Sequence, residues 1–161
     1  MNSQAHLQVV DNDPAFKCVT FCLGDETYGI DVLQVREVLR MTDIAPVPGA
    51  PAQVMGVINL RGSVVTVVDA RKSLRMAAKA ADETARIVVV EVDEHVVGLA
   101  VDAVAEVLEL KRSMVESPPS VGNEEHSRYI AGVVNHPGGL LILVDVTKML
   151  SDDEWRELAS A

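Results

Sequence analysis

Two aspartates stand at matching places in the sequence, and a pair of carboxylates is the arrangement that general acid–base hydrolysis requires. Asp69 ends the apolar run VVTVVD, and Asp145 ends LLILVD. Two such groups can divide the acid and base roles between them. An aspartate at the end of a strand also caps the helical turn that follows it by accepting backbone N–H groups. Because Ala70 and Val146 follow in place of small polar residues, we expect two caps, with a hydrolase as the distant alternative.

The remaining reactive residues form no catalytic or metal-binding motif. The sequence has no phosphate-binding glycine loop, dinucleotide fingerprint, zinc-protease motif or nucleophile elbow. Cys18 and Cys22 would lie about 13 Å apart on a strand, too far for a disulfide, so we expect buried, reduced thiols. The histidines are scattered at His6, His95, His126 and His136. We therefore expect no enzyme activity, no metal and no cofactor.

The composition describes an acidic globular protein with an aliphatic core. Net charge is −10, from 24 acidic and 14 basic residues, and only 3% of the 161 residues are aromatic. Such a charge repels nucleic-acid phosphates and favours partners with neutral or basic surfaces. No apolar run approaches the ~20 residues of a membrane span, and the first residues lack the apolar segment of a signal peptide. We expect a cytoplasmic protein.

Short apolar stretches separated by turns predict an all-β protein. Turns are indicated at Gly24-Asp25 and at Asp93-Glu94. After Asp31, the segment VLQVREVLR fits a short helical turn that runs into a strand. Closely spaced short strands with little helix are typical of a barrel or sandwich. The expected units are a flexible tail (1–14), a first β-subdomain (15–84), a second β-subdomain (85–150) and a C-terminal helix (147–159).

An internal repeat is the strongest pattern in the sequence. YGIDVLQVREVL at 28–39 matches VGLAVDAVAEVL at 97–108, and GVINLRGSVVTVVDARKSL at 56–74 matches GVVNHPGGLLILVDVTKML at 132–150. Apolar strands resemble one another by chance, but the paired glycine, asparagine and aspartate positions argue against chance here. Two copies in the same order predict two similar β-subdomains.

The repeated hairpins are apolar at nearly every strand position. Because a strand with one solvated face alternates, we expect both faces to be buried, one in its own barrel and one against the sister subdomain. In the second copy Pro137, with φ fixed at about −65°, suits the first central position of the turn. Arg61 is aligned with Pro137, so we expect Arg61 to take the same position, with its side chain projecting from the tip.

The surface available to partners centres on two segments. Val35 and Val38 form an apolar stripe beside Glu37, which either belongs to the core or forms a shallow groove for a partner's helix. Arg61 is either a solvated turn residue or a contact residue. The residue types and spacings leave both questions open.

Three segments together resemble the CheW family of bacterial chemotaxis coupling proteins: YGIDVLQVREVL, the connection PVPGAP, and GVINLRGSVVTVVDAR. The similarity runs from about Phe16 to Leu150. It implies two intertwined five-stranded SH3-like β-barrel subdomains that share a hydrophobic core, with short helices. It also implies a non-enzymatic adaptor that joins the regulatory domain of a CheA-type histidine kinase to the cytoplasmic tips of membrane chemoreceptors. A coupling protein of a related chemosensory pathway, such as pilus-based motility, is the alternative.

The resemblance also implies which residues bind partners. The family's receptor-contact motif falls on one segment, and its turn arginine falls on Arg61 within an asparagine-containing motif. The implied partner-binding residues are Val35, Glu37, Val38, Asn59, Arg61 and Gly62.

Overall fold

The computed structural model describes residues 13–117 and 129–149, which form an all-β fold. The strands are β1 (Ala15–Leu23), β2 (Glu26–Asp31), β3 (Val35–Arg40), β4 (Val54–Leu60), β5 (Ser63–Asp69), β6 (Arg86–Val92), β7 (His95–Val101), β8 (Ala103–Lys111), β9 (Val115–Glu116), β10 (Ile130–His136) and β11 (Gly139–Val144). The helical pieces are α1 (Ala70–Ser73) and the 3-10 turns Val32–Gln34, Arg112–Met114 and Val146–Lys148. The all-β prediction is confirmed, as is the helical turn after Asp31.

Two predicted segments fall largely outside these residues. Of the tail predicted over 1–14 only Asp13 and Pro14 are described, and of the helix predicted over 147–159 only residues 147–149. None of the helices that the structure describes has the length and apolar character of a membrane span.

The strands form two sheets with the same internal order. One sheet runs β8-β1-β2-β11-β10-β9, and the other runs β3-β6-β7-β5-β4. Under the sequence repeat, β3, β4 and β5 correspond to β8, β10 and β11. The first five strands of the larger sheet then reproduce the smaller sheet, including one parallel contact in each, β2 with β11 and β7 with β5. The repeat predicted from the sequence is therefore confirmed by the topology.

The two copies exchange a hairpin, and this exchange intertwines the sheets. The hairpin β1–β2 precedes β3 in the chain but pairs with β8 and β11, whereas β6–β7 pairs with β3 and β5. The chain crosses between sheets within a few residues: the 3-10 turn after β2 begins where the Asp31 carboxylate accepts the Leu33 N–H at 2.9 Å. Each half of the chain, 15–84 and 85–149, consequently contributes strands to both sheets.

The apolar residues form one core shared by both sheets and a smaller core inside each. On β6, Val88 and Val90 belong to the shared core, while the alternate residues Ile87 and Val89 belong to the interior of the five-stranded sheet. The interior of the six-stranded sheet contains Cys18, Leu110, Val134, Leu141 and Leu143. The shared core expected from the two-faced apolar strands is therefore present.

The expectation that both hairpin faces are buried throughout is wrong near the turns. Val68 and Val144 lie in the shared core, but Val64 is 72% exposed and Leu140 is 57% exposed. The residues closest to the turns extend beyond the shared core. Only the turn-distant ends of β5 and β11 are covered on both faces.

The two cysteines are free, and they differ in burial. Cys18 is buried and Cys22 is half-buried. Burial raises the pKa of the Cys18 thiol to about 11, which keeps it protonated and unreactive near neutral pH. The predicted buried thiol is thus found at Cys18, whereas Cys22 is partly accessible.

Candidate partner-binding site

The five-stranded sheet curls until its two edges meet, and this closure builds the site. Strands β3 and β4 are the edges of the sheet. Ala45, in the connection after β3, exchanges two backbone hydrogen bonds of 2.9 Å with Val57 on β4. The same closure brings the β4–β5 turn beside β3. The sheet is thereby shaped into a barrel, which we call the first barrel; the six-stranded sheet is called the second barrel.

A repeated glycine permits this close approach. Gly56 lies at an irregularity of the β4–β5 ladder with φ of 149°, and a Cβ on it would lie 2.1 Å from the Ala45 carbonyl oxygen. Its twin Gly132 lies at the matching irregularity of β10–β11, where a Cβ would lie 2.4 Å from Val115. Both glycines are therefore required for barrel closure and not for chemistry.

The turn that carries Arg61 has a left-handed backbone. Arg61 has φ of 50° and Gly62 has φ of 86°, the pair of positive values that defines the two-residue type I′ hairpin turn. The Asn59 side-chain oxygen accepts the Gly62 N–H at 2.9 Å and so stabilises the turn. Pro137 cannot adopt a positive φ. Arg61 occupies the first central position of its turn, as Pro137 does in the second copy, and its side chain lies on the surface, so both predictions are confirmed. The backbone conformation of the two residues nevertheless differs.

Arg61 and Glu37 form a bidentate ion pair across the mouth of the first barrel. The Arg61 Nη1 donates to Glu37 Oε1 at 3.2 Å, and Nη2 donates to Oε2. This hydrogen bonding raises the pKa of the Arg61 guanidinium, so the residue stays charged. Exposed ion pairs contribute little to stability. The pair therefore serves mainly to hold the two side chains in position.

The apolar stripe on β3 is divided by a β-bulge. Val35 is opposite Val90 and Glu37 is opposite Val89, so the register shifts by one residue between them. Val35 packs against the shared core, whereas Val38 is 41% exposed. The question left open by the sequence thus has a different answer for each valine: Val35 contributes to the core, and Val38 contributes to the surface.

A cleft of about 460 Å³ opens beside the ion pair. Its floor is apolar, because Val65 and Val89 are buried residues of the barrel interior. Charged and polar groups surround the opening. The lining residues are Arg36, Glu37, Leu60, Arg61, Ser63, Val65, Val89 and Val96. An apolar floor within a polar rim suits an aliphatic side chain of a partner, with hydrogen bonds available around it.

The structure gathers most of the residues predicted to bind partners. Glu37 and Arg61 contact each other, Asn59 and Gly62 shape the turn, and Val38 lies on the same strand as Glu37. Sequence reasoning missed the cleft residues Leu60, Val65, Val89 and Val96. Val89 and Val96 lie on β6 and β7, which reach the first barrel only through the hairpin exchange, so no local signal could have placed them there.

The two matched aspartates are helix caps, as expected. The Asp69 carboxylate accepts the N–H groups of Arg71 at 2.9 Å and Lys72 at 3.4 Å. The Asp145 carboxylate accepts the Thr147 N–H at 3.0 Å. Each carboxylate is therefore engaged by the backbone of the turn that follows it.

Comparison with known proteins agrees with this fold. The CheW-like domain matches residues 17–154. The chemotaxis protein CheW of Treponema pallidum is 35% identical over 153 residues, 92% of this chain and 90% of the relative. FrzA of Myxococcus xanthus is 30% identical over 143 residues, 86% of this chain and 88% of the relative. The crystal structure of the scaffolding protein TtCheW from Thermoanaerobacter tengcongensis matches with a TM-score of 0.79 and 29% identity, over 88% of this chain and 96% of that chain. This chain, with its two barrels and repeated hairpins, belongs to the CheW-like domain family.

Proposed function

We propose that this protein is a non-enzymatic adaptor of chemotaxis signalling, which couples the cytoplasmic tips of chemoreceptors to a CheA-type histidine kinase. The family and the relatives named as chemotaxis proteins support the pathway, and the related structure is that of a scaffolding protein. The observation that carries the proposal is the exposed Val38 on β3, next to Glu37, which pairs with Arg61 of the β4–β5 turn. The protein would act on the cytoplasmic side of the membrane, associated with receptor arrays through its partners.

The mechanism is binding through a small preorganised surface. Val38 offers an apolar anchor on the edge strand β3, and the cleft accepts an aliphatic side chain. An arginine carries five N–H donors, and two Arg61 nitrogens already bond Glu37. The remaining N–H groups of Arg61 can donate to a carbonyl or carboxylate of the receptor helix. The barrel surfaces away from this site would engage the kinase's regulatory domain.

The chemistry of the described residues supports an adaptor over an enzyme. Asp69 and Asp145, the carboxylates considered for hydrolysis, each accept backbone N–H groups as caps. The cleft beside Arg61 has an apolar floor and holds no nucleophile paired with a base among its lining residues. An apolar floor with a polar rim is suited to binding a partner's side chain.

A coupling protein of a related chemosensory pathway is the second candidate. The similarity to FrzA of Myxococcus xanthus, at 30% identity over most of both chains, supports this second candidate. The fold and site would be the same in either case, and only the receptor and kinase would differ. Gene neighbourhood and a pull-down from the source cell would distinguish the two pathways.

Co-sedimentation with a receptor signalling fragment and the kinase tests the proposal. Val38→Asp places a charge on the anchor, and Val47→Asp is a matched control, because the exposed fractions of the two valines are 41% and 42%. We expect Val38→Asp to reduce the amount of receptor-bound protein at least fivefold and Val47→Asp to leave it unchanged. A parent protein that does not sediment with the receptor, or two variants that bind equally, would contradict the proposal.

A further inference from the structure

The second barrel contains a twin of Glu37. The repeat aligns Glu106 with Glu37 and Val107 with Val38. Both glutamates lie at a bulge of an edge strand, Glu37 on β3 against β6 and Glu106 on β8 against β1. Their exposed neighbours correspond as well, since Val107 is 55% exposed. Each barrel therefore has an edge strand with a β-bulge, and each of these strands carries a glutamate followed by an exposed valine.

The buried hydroxyl group of Thr20 forms hydrogen bonds with both backbone groups of Glu106. The Thr20 Oγ1 donates to the Glu106 carbonyl oxygen at 2.8 Å and accepts the Glu106 N–H at 2.9 Å. Thr20 is the buried polar residue at the position where Val89 lies in the first barrel. These two bonds hold the Glu106 backbone in place, and the Glu106 side chain is exposed on the surface.

What the second barrel lacks is the arginine. Pro137 stands at the position aligned with Arg61, and the adjacent His136 ring accepts the Gly138 N–H through Nδ1 at 3.2 Å. Within residues 13–117 and 129–149, the Glu106 carboxylate forms no ion pair and no hydrogen bond. In the first barrel Arg61 donates to the Glu37 carboxylate, whereas in the second barrel no arginine donates to the Glu106 carboxylate within the described residues.

We propose that Ala105, Glu106 and Val107 form a second docking surface, which binds a partner polypeptide that supplies an arginine in trans. That arginine would bind the Glu106 carboxylate as Arg61 binds Glu37, and an aliphatic neighbour would cover Val107. Arginine fits better than lysine, because its planar fork matches both carboxylate oxygens.

Two further features favour this occupant. Strand β8 is the edge of its sheet, so its outer backbone groups can pair with an added segment. The net charge of −10 attracts a basic partner. This surface lies on β8 of the six-stranded sheet, whereas Val38 lies on β3 of the five-stranded sheet, and the inference holds whichever partner the first barrel binds.

An NMR titration of the ¹⁵N-labelled full chain tests the proposal. The probe is the blocked tripeptide acetyl-Leu-Arg-Gly-amide, which copies residues 60–62, and acetyl-Leu-Gln-Gly-amide serves as its uncharged control. We expect the arginine peptide to shift the amide signals of Glu106 and Val107, with the glutamine peptide binding at least fivefold more weakly. Glu106→Gln should weaken binding of the arginine peptide at least fivefold. Glu109→Gln, which removes the same charge from an exposed residue of the same strand, should change it less than twofold.

Three results would overturn the proposal. The first is an arginine peptide that causes no shifts at Glu106 and Val107. The second is an equal loss of binding in Glu106→Gln and Glu109→Gln, which would show attraction to the acidic surface in general. The third is an arginine peptide whose shifts are unchanged by Glu106→Gln in a variant with a native spectrum. Failure of the adaptor proposal would instead appear in the co-sedimentation of Val38→Asp, which leaves this surface intact.

Discussion

Arg61 and Glu37 are 24 residues apart in the chain, yet the guanidinium of one donates to both carboxylate oxygens of the other. The contact joins the β4–β5 turn to the edge strand β3 and closes one side of a cleft with an apolar floor. The matching carboxylate of the second barrel, Glu106, has Pro137 where the arginine would stand. The asymmetry between the copies thus distinguishes the two barrels chemically, while the backbone keeps them alike.

We expect Arg61→Glu to leave the fold intact and to abolish receptor-dependent activation of the kinase in reconstituted arrays. The side chain is exposed, so the thermal midpoint should stay close to that of the parent protein, whereas the donors to the receptor are lost and Glu37 is left beside a like charge. Kinase activity with and without receptor, together with a melting curve, checks both parts. Normal activation by a well-folded variant would contradict the role of Arg61.

The charge exchange Arg61→Glu with Glu37→Arg separates two roles of the pair. If Arg61 donates to the partner directly, the exchanged pair restores the internal contact but not the activation, because residue 61 then has no N–H donors on its side chain. We expect this outcome, measured in the same kinase assay. Full recovery of activation would show that only the internal ion pair matters.

Arg61→Pro should destabilise the protein even though its twin is Pro137. Proline cannot reach the φ of 50° that Arg61 adopts, and the type I′ turn would have to rearrange, at a cost of more than about 1 kcal/mol. Arg61→Gly, which suits a positive φ, should be as stable as the parent or slightly more stable. Urea unfolding followed by circular dichroism measures both. A proline variant that unfolds at the parent's midpoint would refute the assigned turn type.

Gly56→Ala should be more destabilising than Gly62→Ala. The new Cβ at Gly56 would lie 2.1 Å from the Ala45 carbonyl oxygen, a backbone atom, whereas at Gly62 it would meet open space. We expect losses in the free energy of unfolding of about 3 kcal/mol at Gly56, from overpacking, and of about 1–2 kcal/mol at Gly62, from its positive φ. Equal midpoints in urea for the two variants would show that Gly56 is not needed for closure.

The ion pair between Arg71 and Asp102 should make stability depend on pH in acid. Arg71 Nε donates to Asp102 Oδ1 at 2.9 Å and Nη2 donates to Oδ2 at 2.6 Å, and Gly24 N–H donates to Oδ2 at 2.8 Å. The Arg71 hydrogen bonds lower the pKa of the Asp102 carboxyl from 3.8 to about 2. A carboxyl group whose pKa is lower in the folded state stabilises the fold at any pH above its unfolded-state pKa. This contribution is lost as the pH falls from about 4 to about 2.

Asp102→Asn should therefore lower the free energy of unfolding by about 2 kcal/mol at neutral pH. The loss should become smaller as the pH falls toward the folded-state pKa of Asp102. Urea unfolding of parent and variant at pH 7, 4 and 3 measures the difference. Asp43→Asn, on the exposed connection after β3, controls for the loss of one negative charge. A cost that stays constant from pH 7 to pH 3 would contradict the assignment.

Separate halves of the chain should fold only together. A fragment of residues 1–84 lacks the β6–β7 hairpin that completes the first barrel, and a fragment of residues 85–161 lacks the β1–β2 hairpin that completes the second. We expect each fragment alone to give a largely unfolded circular dichroism spectrum and the mixture to give that of the parent. A native-like spectrum from either fragment alone would be inconsistent with the hairpin exchange.

Local chemistry in the sequence determined the parts of this protein that depend on near neighbours. The aspartate caps at Asp69 and Asp145 accept N–H groups two or three residues away, and the turn at Asp93-Glu94 lies between two apolar strands rich in valine. The repeat predicted two alike sheets, because equal patterns of apolar residues, glycines and turns favour equal folds. Such features depend on interactions within one or two elements and can be read from residue types.

Only the tertiary structure decided which strands share a sheet and which side chains meet across it. The hairpin exchange carries Val89 and Val96 into the cleft, and barrel closure brings Glu37 to Arg61. The bulge on β3 turns Val35 toward the core and leaves Val38 exposed. Nothing near these residues specifies such outcomes, because strand partners and bulge positions are selected by the packing of apolar faces from both halves of the chain at once.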